Sequence, residues 1–280
     1  MTVVTAQGIT KPFEPPEPYP IFGTRAPALR SFRLTFPAPN DHEIALIQVL
    51  AGGDSDDLSP NAENEPARIP DGELAVALQD ANPSDEEFGY LVSHSTLTIP
   101  GARRFQIRDV GCQGKCVRQL PLPSSHPPLP DPGPPPLLAL VGFKMFFTGA
   151  RDHELDRIGV WFRGNDLHVA FRDINGDDVF GYLVDFLAIP RVGLNVASGI
   201  ERGTSSGLET IQLPTPFLPS EFVLTGWAFN FRKDDQEILD IGVIRSENNF
   251  TVFYADSGGG RAFDWRMEWV HVGPVVATPG

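Results

Sequence analysis

The feature that most constrains this chain is an internal repeat. Residues 139–190 align with 222–273 without a gap at a constant offset of 83, placing Phe146 on Phe229, Asp152 on Asp235, Glu154 on Glu237 and Ile158-Gly159-Val160 on Ile241-Gly242-Val243. Asn165, Val169, Asp173, Gly176 and Phe180 fall in the same way on Asn248, Val252, Asp256, Gly259 and Phe263. A more divergent copy lies upstream, where Asp41-His42-Glu43-Ile44 matches Asp152-His153-Glu154-Leu155 and Phe88-Gly89-Tyr90-Leu91-Val92 matches Phe180-Gly181-Tyr182-Leu183-Val184. A chain built this way repeats one supersecondary unit, so whatever one copy folds into, the others should fold into as well.

Within each copy the apolar period is 2, the period of a strand with one buried face. Leu167, Val169 and Phe171 alternate with His168 and Ala170; Phe180, Tyr182, Val184 and Phe186 alternate with Gly181, Leu183 and Asp185. Between them lies Asp173-Ile174-Asn175-Gly176-Asp177, in which Asn-Gly is a strong two-residue hairpin signal. Several antiparallel strands in about fifty residues with one apolar face must cover that face with a second sheet. The expected fold is therefore all-β, three tandem small antiparallel β-sandwich modules joined by Pro/Gly-rich linkers. In that division 1–30 is an extended Pro-rich arm, and 31–118 is module 1 with an acidic loop inserted over Leu50–Glu73. Residues 119–137 form a Pro-rich linker, 138–190 module 2, 191–220 a looser linker and 221–280 module 3.

The run from Leu167 to Phe171, a short hairpin, and Val179 to Ile189 resembles the last two strands of H-type lectin domains, closing on Phe186-Leu187-Ala188-Ile189. The resemblance implies small antiparallel β-sandwiches that usually trimerise and bind sugars such as N-acetylgalactosamine. The Trp that the family usually carries in this hairpin is replaced by Ile174, so the resemblance transfers no sugar-contacting residue.

Charge narrows the partners. Twenty-two basic against 36 acidic side chains give a net charge of −14, which disfavours nucleic acid and anionic membrane surfaces. No apolar run approaches the roughly 20 residues of a membrane span, and Met1–Gly8 lacks the basic start and apolar core of a signal peptide.

Few residues carry chemistry by spacing. Asp173, Asn175 and Asp177 offer oxygen ligands at alternate positions, the pattern of a Ca2+ loop, although Asp and Asn also favour tight turns. No organic cofactor is expected. Gly203-Thr204-Ser205-Ser206-Gly207 matches a nucleophile elbow but is followed by no helical period. Cys112 and Cys116 form either a local disulfide or a pair of thiols. The Asp-His-Glu triplets at 41–43 and 152–154 become Asp235-Gln236-Glu237 in the third copy, so their His is dispensable to what the copies share. The expectation is a non-enzymatic structural or attachment component of a virion. A bacteriophage tail protein, assembled in the host cytoplasm and oligomeric, is favoured, with neighbouring virion proteins held through the N-terminal arm. The phage attribution leans on arginine outnumbering lysine 18 to 4, the bias of a GC-rich genome. The alternative is a soluble carbohydrate-binding protein using the H-type lectin-like modules, and a third reading is a glycosidase accessory module.

Overall fold

The computed structural model describes residues 2–12, 17–19, 26–37, 43–52, 56–57, 69–81, 86–120, 122, 134–149, 154–176, 178–191, 193–213, 221–232, 237–246, 249–256 and 262–274. Among them every regular element is a strand. The repeating unit has six. The first comprises β1 (Thr2–Thr10), β2 (Glu17–Pro18), β3 (Ala26–Thr35), β4 (Ile44–Ala51), β6 (Glu73–Asp80) and β7 (Phe88–Leu97), with a supernumerary β5 (Asp56–Asp57) between β4 and β6. The second is β8 (Arg103–Gln113), β9 (Lys115–Gln119), β10 (Leu137–Phe147), β11 (Leu155–Arg163), β12 (Asp166–Asp173) and β13 (Val179–Ile189). The third is β14 (Leu194–Ser205), β15 (Glu209–Gln212), β16 (Glu221–Asn230), β17 (Ile238–Ser246), β18 (Asn249–Asp256) and β19 (Phe263–Pro274).

The same antiparallel pairings recur in each unit: first strand with sixth, third with sixth, second with fifth and fourth with fifth. A unit is thus two three-stranded layers, held face to face by aromatic side chains. In the second unit Phe171 of β12 lies 4.3 Å from Phe147 of β10 and 6.1 Å from Phe180 of β13, centroid to centroid. In the third, Tyr254 of β18 lies 4.9 Å from Phe231 and 4.7 Å from Phe263. Phe36, Leu78 and Phe88 are buried at the corresponding places in the first.

No unit is closed by its own pairings. The third strand of each unit pairs with the fourth strand of another: β10 with β4, β16 with β11, and β3 with β17. Three units therefore share three sheets in a ring. Sheet A runs β1-β7-β3-β17-β18-β15, sheet B β2-β6-β4-β10-β13-β8-β5, and sheet C β14-β19-β16-β11-β12-β9. At the centre of the ring Phe32 of β3, Phe143 of β10 and Trp227 of β16 hold the same register, opposite Val243, Val49 and Val160. Their rings meet one another at 5.1, 4.8 and 4.9 Å, and none is exposed. The seams require glycine where backbones close up: a Cβ on Gly159 would lie 2.5 Å from the Trp227 carbonyl oxygen, and one on Gly242 would collide with the carbonyl of Phe32.

Several expectations are corrected by these pairings. The arm over 1–30 is not free: β1 pairs with β7 along its whole length, β2 pairs with β6, and Tyr19 is buried. The linker over 191–220 contains β14, a full edge strand on β19, and β15 on β18. Residues 103–118, assigned to module 1, are β8 and most of β9, and they pair with β13 and β12 of the second unit. The 83-residue offset holds for the last three strands of the unit, but β10 and β16 are equivalent at 84, Phe143 matching Trp227 rather than Gly226. The connection from Phe231 to Ile238 is one residue shorter than that from Phe147 to Leu155, which restores the offset. Of the acidic insertion, Leu50 and Ala51 belong to β4 and Asp56–Asp57 pair in parallel with β8; 58–68 lie outside the described residues, as does most of the Pro-rich 119–137 segment.

Candidate binding face

The loop proposed for Ca2+ is only partly described. The Asp173 carboxylate is buried and accepts the backbone N–H of Asn175 at 2.7 Å, Asn175 is exposed, and Asp177 lies outside the described residues. Asp173 occupies the same register as Asp80 and Asp256, each opposite the first residue of the fourth strand of its unit and each buried. Asp80 accepts the Glu43 N–H at 3.3 Å and Asp256 the Tyr254 hydroxyl at 3.3 Å. These three carboxylates share a structural task, tying the end of one strand to its surroundings.

Gly203, Thr204 and Ser205 lie within β14 and the chain continues through a bend into β15, so the strand-to-helix turn of a nucleophile elbow is missing there. Cys112 and Cys116 are joined as a disulfide across the turn from β8 to β9. Asp109 completes a cluster with these two sulfurs, but it is ion-paired to Arg118 at 2.6 Å, and disulfide sulfurs are poor metal ligands. Asp41, His42, Asp152 and His153 lie outside the described residues.

His94 of β7 is fully buried where units one and two meet. Its Nε2 lies 2.7 Å from the Val141 carbonyl, which can only accept, so Nε2 carries the proton and Nδ1 faces the Tyr19 hydroxyl at 3.0 Å. That hydroxyl is also 2.9 Å from the Val4 carbonyl. Burial, with a smaller contribution from nearby Arg104, lowers the imidazole pKa to about 4, so the ring is neutral at pH 7. Phe186 and Trp269 hold this place in the other units.

The outward face of sheet C is where chemistry-bearing side chains converge. Strand alternation aims Arg202 of β14, Arg266 of β19, Arg157 and Trp161 of β11, His168 of β12 and Lys115 of β9 to one side. Ala228, Gly159 and Ala170 lie side by side between them, and Trp161 packs against both alanines. A trough of about 540 Å³ is left on the β14 to β11 side, lined by Arg157, Arg202, Ala228, Asn230 and Arg266, among others. Trp161 and His168 stack almost parallel, 5° apart at 5.3 Å. Lys115 Nζ and Arg266 Cζ stand 5.4 and 5.8 Å from the indole centroid. Three of the acids nearby are ion-paired, Glu268 with Arg266, Asp156 with Arg172 and Asp264 with Arg232 at 2.5 Å, while Asp166 of β12 acts on His168. Burial and the adjacent cations lower the His168 pKa, so it adds no charge.

Sheets A and B differ at the same register. Gln7 and Arg108 replace Arg202, Leu91 and Leu183 replace Arg266, and Asp240 and Leu46 replace Arg157. Sequence reasoning missed this face because its residues come from two units and six strands. The one local signal was Arg157, Trp161 and Arg163 alternating with buried residues on β11.

No protein-family model matches the chain, and no curated protein matches it. Among solved structures it aligns with one from Sulfolobus turreted icosahedral virus at 8% identity, over 98% of this chain and 92% of the other, with a TM-score of 0.16. A second, from work on the triple jelly roll fold and turret assembly in an archaeal virus, gives 9% identity over 97% and 91%, also at 0.16. Scores this low do not mark a common fold. What the pairings themselves define is an all-β protein of three antiparallel sheets. In the described residues no helix is long and apolar enough to cross a membrane.

Proposed function

We propose that this protein is a non-enzymatic structural and attachment component of a virion, with a bacteriophage tail as the specific setting. The observation that carries the reading is the closed ring of three like units sharing three sheets around the Phe32–Phe143–Trp227 centre. Assemblies are built on closed rotational symmetry, and a chain with internal threefold repetition matches a threefold mount without needing two further copies of itself. Since β1 and β2 are spent on pairing inside the chain, contact with neighbouring subunits falls to the exposed edges and loops rather than to a free arm. Immunogold labelling of purified particles tests the reading: label at a threefold position supports it, and protein found only in the particle-free supernatant overturns it.

A second reading is a soluble carbohydrate-binding protein. The ring favours it, because H-type lectin domains usually trimerise and this chain would be their fused counterpart. A glycan array on the purified chain distinguishes it from the first.

A further inference from the structure

The outward face of sheet C carries a ligand preference that the other two faces lack. Three cations there, Lys115, Arg157 and Arg202, make no ion pair among the described residues, in a chain whose net charge is −14. The carboxylate that Arg202 acts on at longer range, Glu268, is already paired to Arg266. Arg157 and Arg202 flank Ala228, a small residue of the trough lining, where a flat ring can come close to the sheet. Trp161 closes one end of the trough, and behind it His168 is nine-tenths buried with neither ring nitrogen hydrogen-bonded. At about 540 Å³ the trough has the size of a small-ligand site.

We propose that this trough binds an acidic saccharide, its carboxylate or sulfate taken by Arg157 and Arg202 and its sugar ring lying over Ala228 beside Trp161. Guanidinium groups match both oxyanions with paired hydrogen bonds. Hydroxyl groups of the sugar face Asn230, Thr204 and Asp264, a polar group of the lining in which Thr204 donates to Asp264 at 2.6 Å and Arg232 pairs with it. A nucleic acid fits less well, because a long polyanion would run off this confined patch onto an otherwise acidic surface. The inference rests on the chain being a binding component, and it names what is bound.

The test is calorimetric titration of the full chain with trigalacturonate, a heparin-derived tetrasaccharide and maltotriose, alongside a single-stranded DNA tetramer. Binding of either acidic sugar, with maltotriose and DNA at least tenfold weaker, is the expected result. The carboxylated and sulfated arms identify which oxyanion is preferred. The Arg157→Gln/Arg202→Gln double variant should lose at least tenfold in affinity, with its melting temperature held within a degree or two as the check on folding. If the variant melts lower than that, Arg202→Gln alone, at an exposed edge-strand position, replaces it with an expected loss of about threefold. No binding of either acidic sugar, binding untouched by the substitutions, or DNA bound as tightly overturns the proposal. Particle labelling reads out separately: a chain found on particles that binds no acidic sugar sinks this inference and leaves the structural role standing.

Discussion

Replacing Phe143 by alanine removes one of three rings that meet at the centre of the molecule. The side chain is fully buried and contacts Phe32 and Trp227 at 5.1 and 4.9 Å. Truncating a buried Phe to Ala costs about 3–5 kcal/mol from lost transfer energy and the cavity left behind. Each aromatic pair adds roughly 0.5–1.5 kcal/mol, and the centre cannot collapse easily because β10 is pinned on both sides by β4 and β13. The upper half of the range is expected, about 4–5 kcal/mol. For a chain of this size, 1 kcal/mol shifts the melting temperature by about 2–4 °C, so the variant should melt roughly 8 °C or more below the parent. Because the three strands that meet here belong to three units, the loss should be felt by all of them and the transition should remain single. Differential scanning calorimetry reads both, and the fluorescence of the four tryptophans, which include Trp227 of the triad, gives a second readout. A shift under 3 °C, or a transition that splits so that one unit melts alone, would refute the claim that this cluster joins the units.

Deleting Met1 to Tyr19 should lower the melting temperature by several degrees, since it strips β1 from β7 and removes the buried Tyr19; unchanged melting in a thermal scan would mean the segment is dispensable to the fold. His94 has a folded pKa near 4 against 6.5 in its ordinary state, so the unfolded chain binds the proton first and stability is lost as pH falls from about 6.5 towards 4. His94→Phe, the residue type found at Phe186, should flatten that part of a urea-denaturation profile against pH, and an unaltered slope would show that the imidazole is not buried neutral. Gly242→Ala should cost about 1–3 kcal/mol, because the added methyl meets the backbone of β3 across the seam; a midpoint in urea equal to the parent's would argue against that close approach.

The interior of each sandwich was legible because it is written locally. Val169, Phe171, Phe180 and Tyr182 alternate with small or polar residues, and all four are buried. The seams were not, because nothing in β10 announces that its free edge will pair with β4, more than eighty residues earlier, in place of a strand of its own unit. The strand β14 was misread for a physical reason. Gly199 and Gly203 suggest a loose linker, yet a Cβ on either would fall within 2.6 Å of the indole of Trp269 or Trp265. Glycine there makes room for cross-strand indole rings and says nothing about flexibility. The Pro-rich start was misread similarly, since among its described residues Glu17–Pro18 pair with β6 and Tyr19 is buried. The basic face of sheet C could not be foreseen from a net charge of −14, because a total says nothing about where the cations collect.

Joining the three units in one polypeptide changes how the ring behaves on dilution. Three separate subunits would hold together only above their dissociation constant, and their stability would rise and fall with protomer concentration. Here the partners of each seam are tethered, so the neighbour's effective concentration is set by chain length and stays fixed however dilute the protein becomes. Covalent continuity also frees the seams from sameness. A substitution in a homotrimer appears three times, whereas one in this chain appears once, which is how Arg202, Arg108 and Gln7 can stand at one register on three faces of the same ring.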